Sequence, residues 1–253
     1  MRNGPRGAII AILVLQIGIG TLLVLGDISA GWQGFASRPR APALEEPVRP
    51  GDQTRRYRPG DPPPASPGQP FPPTGDLPPR LVVTEVERDG VPALRLTGTI
   101  APGDGERIAE ELAPRLAVEE RPSILLQSPG GSVTDAIALG RFFREENVTT
   151  IVAMGDVCLS ACPYLLAGGV TRHADEGATI GVHQHYFGEN SVLPAFMAVE
   201  DIQRGQGLVM AYLEEMEIDL RLMQPALMTP PDEIYVLVAE ELAEYGLVNE
   251  GET

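Results

Sequence analysis

Residues 123–153 read SILLQSPGGSVTDAIALGRFFREENVTTIVA, and the order of patterns within them decides the fold class. Ser123–Leu126 is a short apolar run bounded by turn residues, which predicts a strand. Ser128-Pro129-Gly130-Gly131-Ser132 is a loop. Val133–Glu145 carries Ile137, Leu139 and Phe142 at helical positions, and Thr149–Ala153 is a β-branched strand. Strand, loop, helix and strand in that order form a βαβ unit, so the sheet is expected to be mostly parallel. The two adjacent glycines expose main-chain N–H groups beside a helix start, where an anion or a developing oxyanion can sit. The same pair also suits a tight turn whose backbone angles only glycine tolerates.

The pattern continues on both sides. Leu81–Val86 and Ala93–Ile100 alternate as strands around the turn signal Asp89-Gly90. Gly105–Leu116 places Ile108, Leu112 and Leu116 on one helical face. Downstream, a helix is expected to begin near Ser160, a strand over Thr179–His183, and a long helix from about Leu193 to Glu217. Phe196, Val199, Ile202, Val209 and Leu213 are its apolar positions, with Gly205 and Gly207 as weak points. Residues 81–253 thus read as one α/β domain without internal repeats.

The first 80 residues differ in kind. Ala8 to Gly26 is a run of 19 residues with Gln16 as its one strongly polar side chain. At ~1.5 Å per residue it spans roughly 28 Å, close to the hydrocarbon core of a bilayer. It is longer than a signal-peptide core, and Ile28-Ser29-Ala30 is a poor cleavage site, so an uncleaved anchor is expected. Arg2 and Arg6 place residues 1–7 in the cytoplasm and the rest outside it. Trp32 and Phe35 suit the membrane interface. Of the 25 prolines, 14 lie between Pro39 and Pro79. Residues 27–80 therefore read as a disordered, Pro-rich linker with too little apolar surface to fold.

Charge and composition exclude several functions. Residues 81–253 hold 10 Arg against 29 Asp and Glu, a net charge of −19. Such a domain repels nucleic acid and anionic headgroups. All 19 basic residues are Arg. The absence of Lys removes Ser–Lys dyads, Schiff bases and a P-loop lysine. Two Cys are too few for a Cys-only zinc site or a disulfide framework. A metal site built on His183 and His185 lacks identifiable further ligands, and no cofactor is implied.

A second loop, Asp156-Val157-Cys158-Leu159-Ser160-Ala161-Cys162, also sits between a strand and a helix. A serine there is a candidate nucleophile, and it is equally what a helix N-cap looks like. A hydroxyl needs a general base within hydrogen-bond reach, and without Lys that base is His. His173 follows Arg172 in an expected turn, whereas His183 ends a strand and shares a face with His185 if the strand continues. Cys158 and Cys162 flank Ser160. One helical turn between them would bring their Cα atoms near ~6 Å, within disulfide range, and two buried free thiols are the other reading.

The Ser128–Ser132 loop, Ser160 among small residues, Val182-His183-Gln184 and Glu244-Tyr245-Gly246-Leu247-Val248 together resemble the Clp protease proteolytic subunit family, and more broadly the Clp/crotonase superfamily. The similarity covers about residues 93–250, and the order and spacing of the motifs carry it. The resemblance implies a Clp/crotonase-like spiral of ββα units and a homo-oligomer that hydrolyses peptide or protein substrates. It implies Ser160 as nucleophile and His183 as general base. The Gly130–Gly131 loop and the Ala161 N–H would form the oxyanion hole, aided by the start of the following helix. The family's acid falls near Pro230 when counted without gaps, and Asp232 takes the place after a small shift. The anchor and linker fit a periplasmic branch tethered to a bacterial inner membrane better than partnership with an unfoldase ATPase. A fold match without catalysis, leaving an interaction module, is the alternative, and crotonase-type acyl-CoA chemistry does not fit an external location.

Overall fold

The computed structural model describes residues 7, 9, 10, 12–21, 53–56, 77–118, 122–185 and 195–249. The chain divides into two units, Met1–Arg40 and Ala41–Thr253. In the first unit the described residues are helical and exposed (helix α1, residues 7, 9, 10 and 12–21). Among the described residues no helix is long and apolar enough to cross a membrane. Residues 8, 11 and 22–26 of the expected anchor lie outside the described residues, as do Trp32 and Phe35.

The second unit is mixed α/β, with parallel and antiparallel pairing in two sheets. In the five-stranded sheet, β2 (Val82–Arg88) turns back antiparallel onto β3 (Val91–Thr97). Asp89 and Gly90 both take left-handed angles in that turn, with φ of 54° and 79°, which is why an Asp-Gly pair stands there. β3, β4 (Ser123–Gln127), β5 (Thr149–Val152) and β7 (Thr171–Ala174) then run parallel. Helix α2 (Asp104–Leu116) joins β3 to β4 and buries Ile108, Leu112 and Leu116 completely. Helix α3 (Val133–Glu145) joins β4 to β5, and Ser132 caps it by accepting the Asp135 N–H. Each such leucine or isoleucine contributes about 1.5–3 kcal/mol by leaving water.

The four-stranded sheet has the order β1, β9, β8, β6. β6 (Val157–Leu159) and β8 (Thr179–Val182) are parallel, while β9 (Glu233–Val236) and β1 (Thr54–Arg56) pair antiparallel. Val157, Leu159, Ile234 and Val236 cluster on one face. Cys158, Ile180 and Val182 face the main core with Leu139, Leu165 and Tyr212. Helices α4 (Cys162–Gly168), α5 (Ala195–Glu215), α6 (Met223–Met228) and α7 (Ala239–Glu244) complete the unit.

Several expectations are corrected. Residues 54–56 fell in the expected disordered linker, yet they form β1, because β9 supplies the ladder that their own composition cannot. The rest of residues 27–76 lies outside the described residues. β6, β7 and β9 are only three or four residues long and carry too little periodicity to stand out. His173, expected in a turn, lies on β7 and pairs with Asp175 at 3.0 Å. The long helix runs unbroken through Gly205 and Gly207.

Asp104 ties this frame to the site. Burial pushes its carboxyl up, but hydrogen bonds from Leu81 N–H, Arg80, Arg107 and Ala101 N–H outweigh burial and hold it at about 2. The carboxylate thereby fixes Ile100–Ala101, and Ile100 pairs with the glycine loop.

Candidate active site

Ser160 is placed by the strand before it. β6 lies between β8 and the Ser128 loop: Ser128 N–H donates to the Val157 carbonyl at 2.8 Å, and Leu159 N–H donates back to the Ser128 carbonyl at 3.0 Å. Ser160 N–H donates to the Gly181 carbonyl of β8 at 2.9 Å, two residues before His183. Ser160 has φ of 61°, a left-handed conformation that costs a residue with a Cβ about 1–3 kcal/mol. A strained serine on a sharp strand-to-helix turn presents its hydroxyl outward. The N-cap reading of Ser160 fails, since Ala161 occupies that position and α4 starts at Cys162. Pro163 then suits the first helical turn, where its missing N–H has no partner to lose.

Cys158 and Cys162 form a disulfide with a Cα separation of 5.0 Å. They do not sit one helical turn apart, because Cys158 is on β6 and Cys162 opens α4. The bond therefore closes the turn that carries Ser160. Both cysteines are fully buried.

His183 follows β8 directly and is 5% exposed. Its Nε2 lies 2.7 Å from Ser160 Oγ, and its Nδ1 lies 3.1 Å from the Pro231 carbonyl oxygen. A carbonyl only accepts, so in the neutral ring Nδ1 carries the proton and Nε2 is left to accept from the serine hydroxyl. Burial lowers the His183 pKa, and the Pro231 and Pro230 carbonyls act in the opposite direction. Burial thus favours the neutral imidazole.

Asp232 is exposed on the turn between α6 and β9, and the hydrogen bond at His183 Nδ1 runs to the carbonyl of the preceding residue. That turn is closed by Glu233 N–H donating to the Pro230 carbonyl at 3.0 Å. Gln184 lashes it to the His183 strand: its N–H donates to the Thr229 carbonyl at 3.0 Å and its side-chain amide to the Leu227 carbonyl at 2.6 Å.

The glycine loop lies against Ser160. Gly130 and Gly131 have φ of 101° and 140°. A Cβ on Gly130 would stand 2.5 Å from Ser160 Cβ and 2.9 Å from Ala161 N, so the close approach requires glycine. Gly130 N–H donates to Ser128 Oγ at 3.1 Å, so this expected oxyanion donor is already engaged. Ile100 pairs with the loop through the Gly130 carbonyl and the Ser132 N–H, which turns Gly131 N–H away from it. Among the described residues neither Gly131 N–H nor Ala161 N–H has an acceptor. Two main-chain donors and one hydroxyl paired to a neutral imidazole are what acyl transfer needs.

Sequence reasoning left His185 and Tyr164 without a role. His185 Nε2 lies 2.7 Å from Tyr164 Oη, and Tyr212 Oη donates to the Tyr164 carbonyl at 2.6 Å. Burial, with His183 nearby, lowers the His185 pKa to about 4. Their signal was an aromatic residue standing among small ones just after Ser160. Among the described residues no group of three or more His, Cys, Asp or Glu could hold a metal ion. No protein-family model matches the chain, and no curated protein matches its sequence.

Proposed function

We propose that this chain is a membrane-tethered, extracytoplasmic serine peptidase resembling the Clp proteolytic subunits. The observation that carries the reading is the 2.7 Å contact between His183 Nε2 and Ser160 Oγ, with the imidazole tautomer fixed from its far side. In the proposed reaction Ser160 Oγ attacks the scissile carbonyl carbon as its proton passes to His183 Nε2. Gly131 N–H and Ala161 N–H receive the oxyanion, and Gly130 supplies the close approach rather than a donor. The imidazolium then protonates the leaving amine, and water, activated by His183, releases the acyl group from Ser160.

The Clp/crotonase-like spiral, the homo-oligomer and the single-pass anchor at residues 8–26 belong to the same reading. They rest on the motif order and on the apolar run. A full-length chain that hydrolyses an unfolded polypeptide, with the Ser160→Ala chain inert, supports the proposal. Equal cleavage by both chains, or by neither, counts against it.

One observation favours the second reading, a Clp-like interaction module without turnover. His183 Nδ1 lies 3.1 Å from a neutral carbonyl, which fixes the tautomer but by itself supports the imidazolium less than a carboxylate does. On that reading Ser160→Ala leaves the cellular role intact.

A further inference from the structure

The expected linker contributes a buried polar side chain to the folded unit, and a passive spacer has no need of one. Gln53 is 5% exposed. Its Nε2 donates to the Val236 carbonyl at 3.1 Å and to Glu241 Oε2 at 2.7 Å. Its Oε1 accepts from Tyr235 Oη at 2.8 Å, and its main-chain carbonyl accepts the Val236 N–H at 3.1 Å. One amide thus joins the linker to β9 and to the start of α7. Tyr235 Oη also lies 2.6 Å from Glu241 Oε1, so its single proton is shared between that carboxylate and the Gln53 amide oxygen, and Glu241 Oε2 accepts the Val238 N–H at 3.1 Å.

The pairing register leads from there to the imidazole. Thr54 stands opposite Tyr235, Arg55 opposite Ile234 and Arg56 opposite Glu233. Glu233 is the residue whose N–H closes the turn onto the Pro230 carbonyl. Inside that turn the Pro231 carbonyl faces His183 Nδ1. β8 holds β9 from the other side through Gly181–Val236 and Val182–Tyr235, continued by Leu237 N–H donating to the Ile180 carbonyl at 2.9 Å. The end of β9 next to the turn, at Glu233, has its strand partner in the linker.

We propose that Gln53 is a positioning residue for His183, fixing β9 and hence the Pro231 carbonyl that orients the imidazole. The role rests on the peptidase reading for its purpose, though not for its detection. It makes the linker a working part of the domain and joins the chain leaving the membrane to the general base by one strand. The titratable groups facing Gln53 are Glu241 and Tyr235. Those near His183 are His185 on the same segment and Asp232 on the turn.

The test is nitrogen-15 NMR of the histidine rings in the full-length chain, which has only three histidines. Gln53→Glu sets a second carboxylate against Glu241. Tyr235→Phe removes the hydroxyl that bridges the two side chains and adds no charge. In the unsubstituted chain His183 is expected as the Nδ1–H tautomer. In both variants the tautomers should mix and the His183 midpoint should fall by about half a pH unit, because a weakened carbonyl contact favours the charged ring less. Tyr235→Phe should give the smaller shift, and His173, in the other sheet, should not move. Unchanged His183 tautomer and midpoint in both variants would overturn the proposal. Since the ring itself is read, that result is distinct from any failure of Ser160 to turn over substrate.

Discussion

On its Nε2 side His183 meets a side chain, Ser160, in a turn closed by the Cys158–Cys162 disulfide. On its Nδ1 side it meets main chain, the Pro231 carbonyl, in a turn closed by one hydrogen bond and braced by a linker strand. The first side is covalently tied and buried, and it stores backbone strain at Ser160. The second is assembled from weak pairings contributed by segments far apart in the chain. The difference separates two demands on a general base. The nucleophile must be held close in one geometry, whereas the far nitrogen needs only an acceptor that keeps the proton on Nδ1. A carbonyl meets the second demand without a charge.

The largest effect should come from the pair itself. Ser160→Ala, alone or combined with His183→Ala, should abolish fluorophosphonate labelling, since no Oγ remains to form the adduct, and His183→Ala alone should lower it by on the order of 10³-fold. Labelling rates of the three variants check this. Next is Gly130→Ala, whose Cβ would drive into Ser160 while the backbone stays at φ of 101°. It should slow labelling by roughly 100-fold and destabilise the fold by about 1–3 kcal/mol, read by denaturant titration.

Replacing both cysteines by alanine should remove about 2 kcal/mol for so short a loop and slow labelling by roughly tenfold. Dithiothreitol sufficient to open the bond in the unsubstituted chain should do the same. An unaffected labelling rate would mean that β6 and α4 hold Ser160 without the bond.

The pH dependence follows from two buried imidazoles. His183 is held below its ordinary value, so the acid limb of labelling should fall below the usual imidazole midpoint of about 6.5. Both rings are depressed in the folded state, so their stabilising contribution is complete above about 6.5. For His185 it is lost as pH falls toward about 4, which thermal melts across that window should follow. The smallest expected effect is that of Asp232→Asn, less than about twofold on labelling. A large loss there would place the acid on the side chain and erase the contrast between the two sides of the ring.

The sequence disclosed these two sides unequally. Ser160 and His183 were legible because side-chain chemistry, the missing Lys and the strand-to-helix contexts all narrowed the choice. The α2 face and the bounds of α3 were legible because long helices repeat their pattern. Pro231 was not, since any residue offers a carbonyl and only the fold decides which one faces a histidine. Gln53 was hidden for the same reason: its burial comes from β9, where Val236 stands 183 positions away, and its own neighbours read as a spacer. Gly130 was read as a donor, but the hydrogen bond from its N–H to Ser128 Oγ is a local closure that spacing does not reveal. The left-handed angle at Ser160 likewise leaves no mark in composition.

The most direct measurement treats the full-length chain with a fluorophosphonate at pH 8 and maps the adduct by mass spectrometry. The account predicts one adduct, on the peptide carrying Ser160, absent from Ser160→Ala and strongly reduced in His183→Ala. An unlabelled wild-type chain, or an adduct that persists in Ser160→Ala, would contradict it.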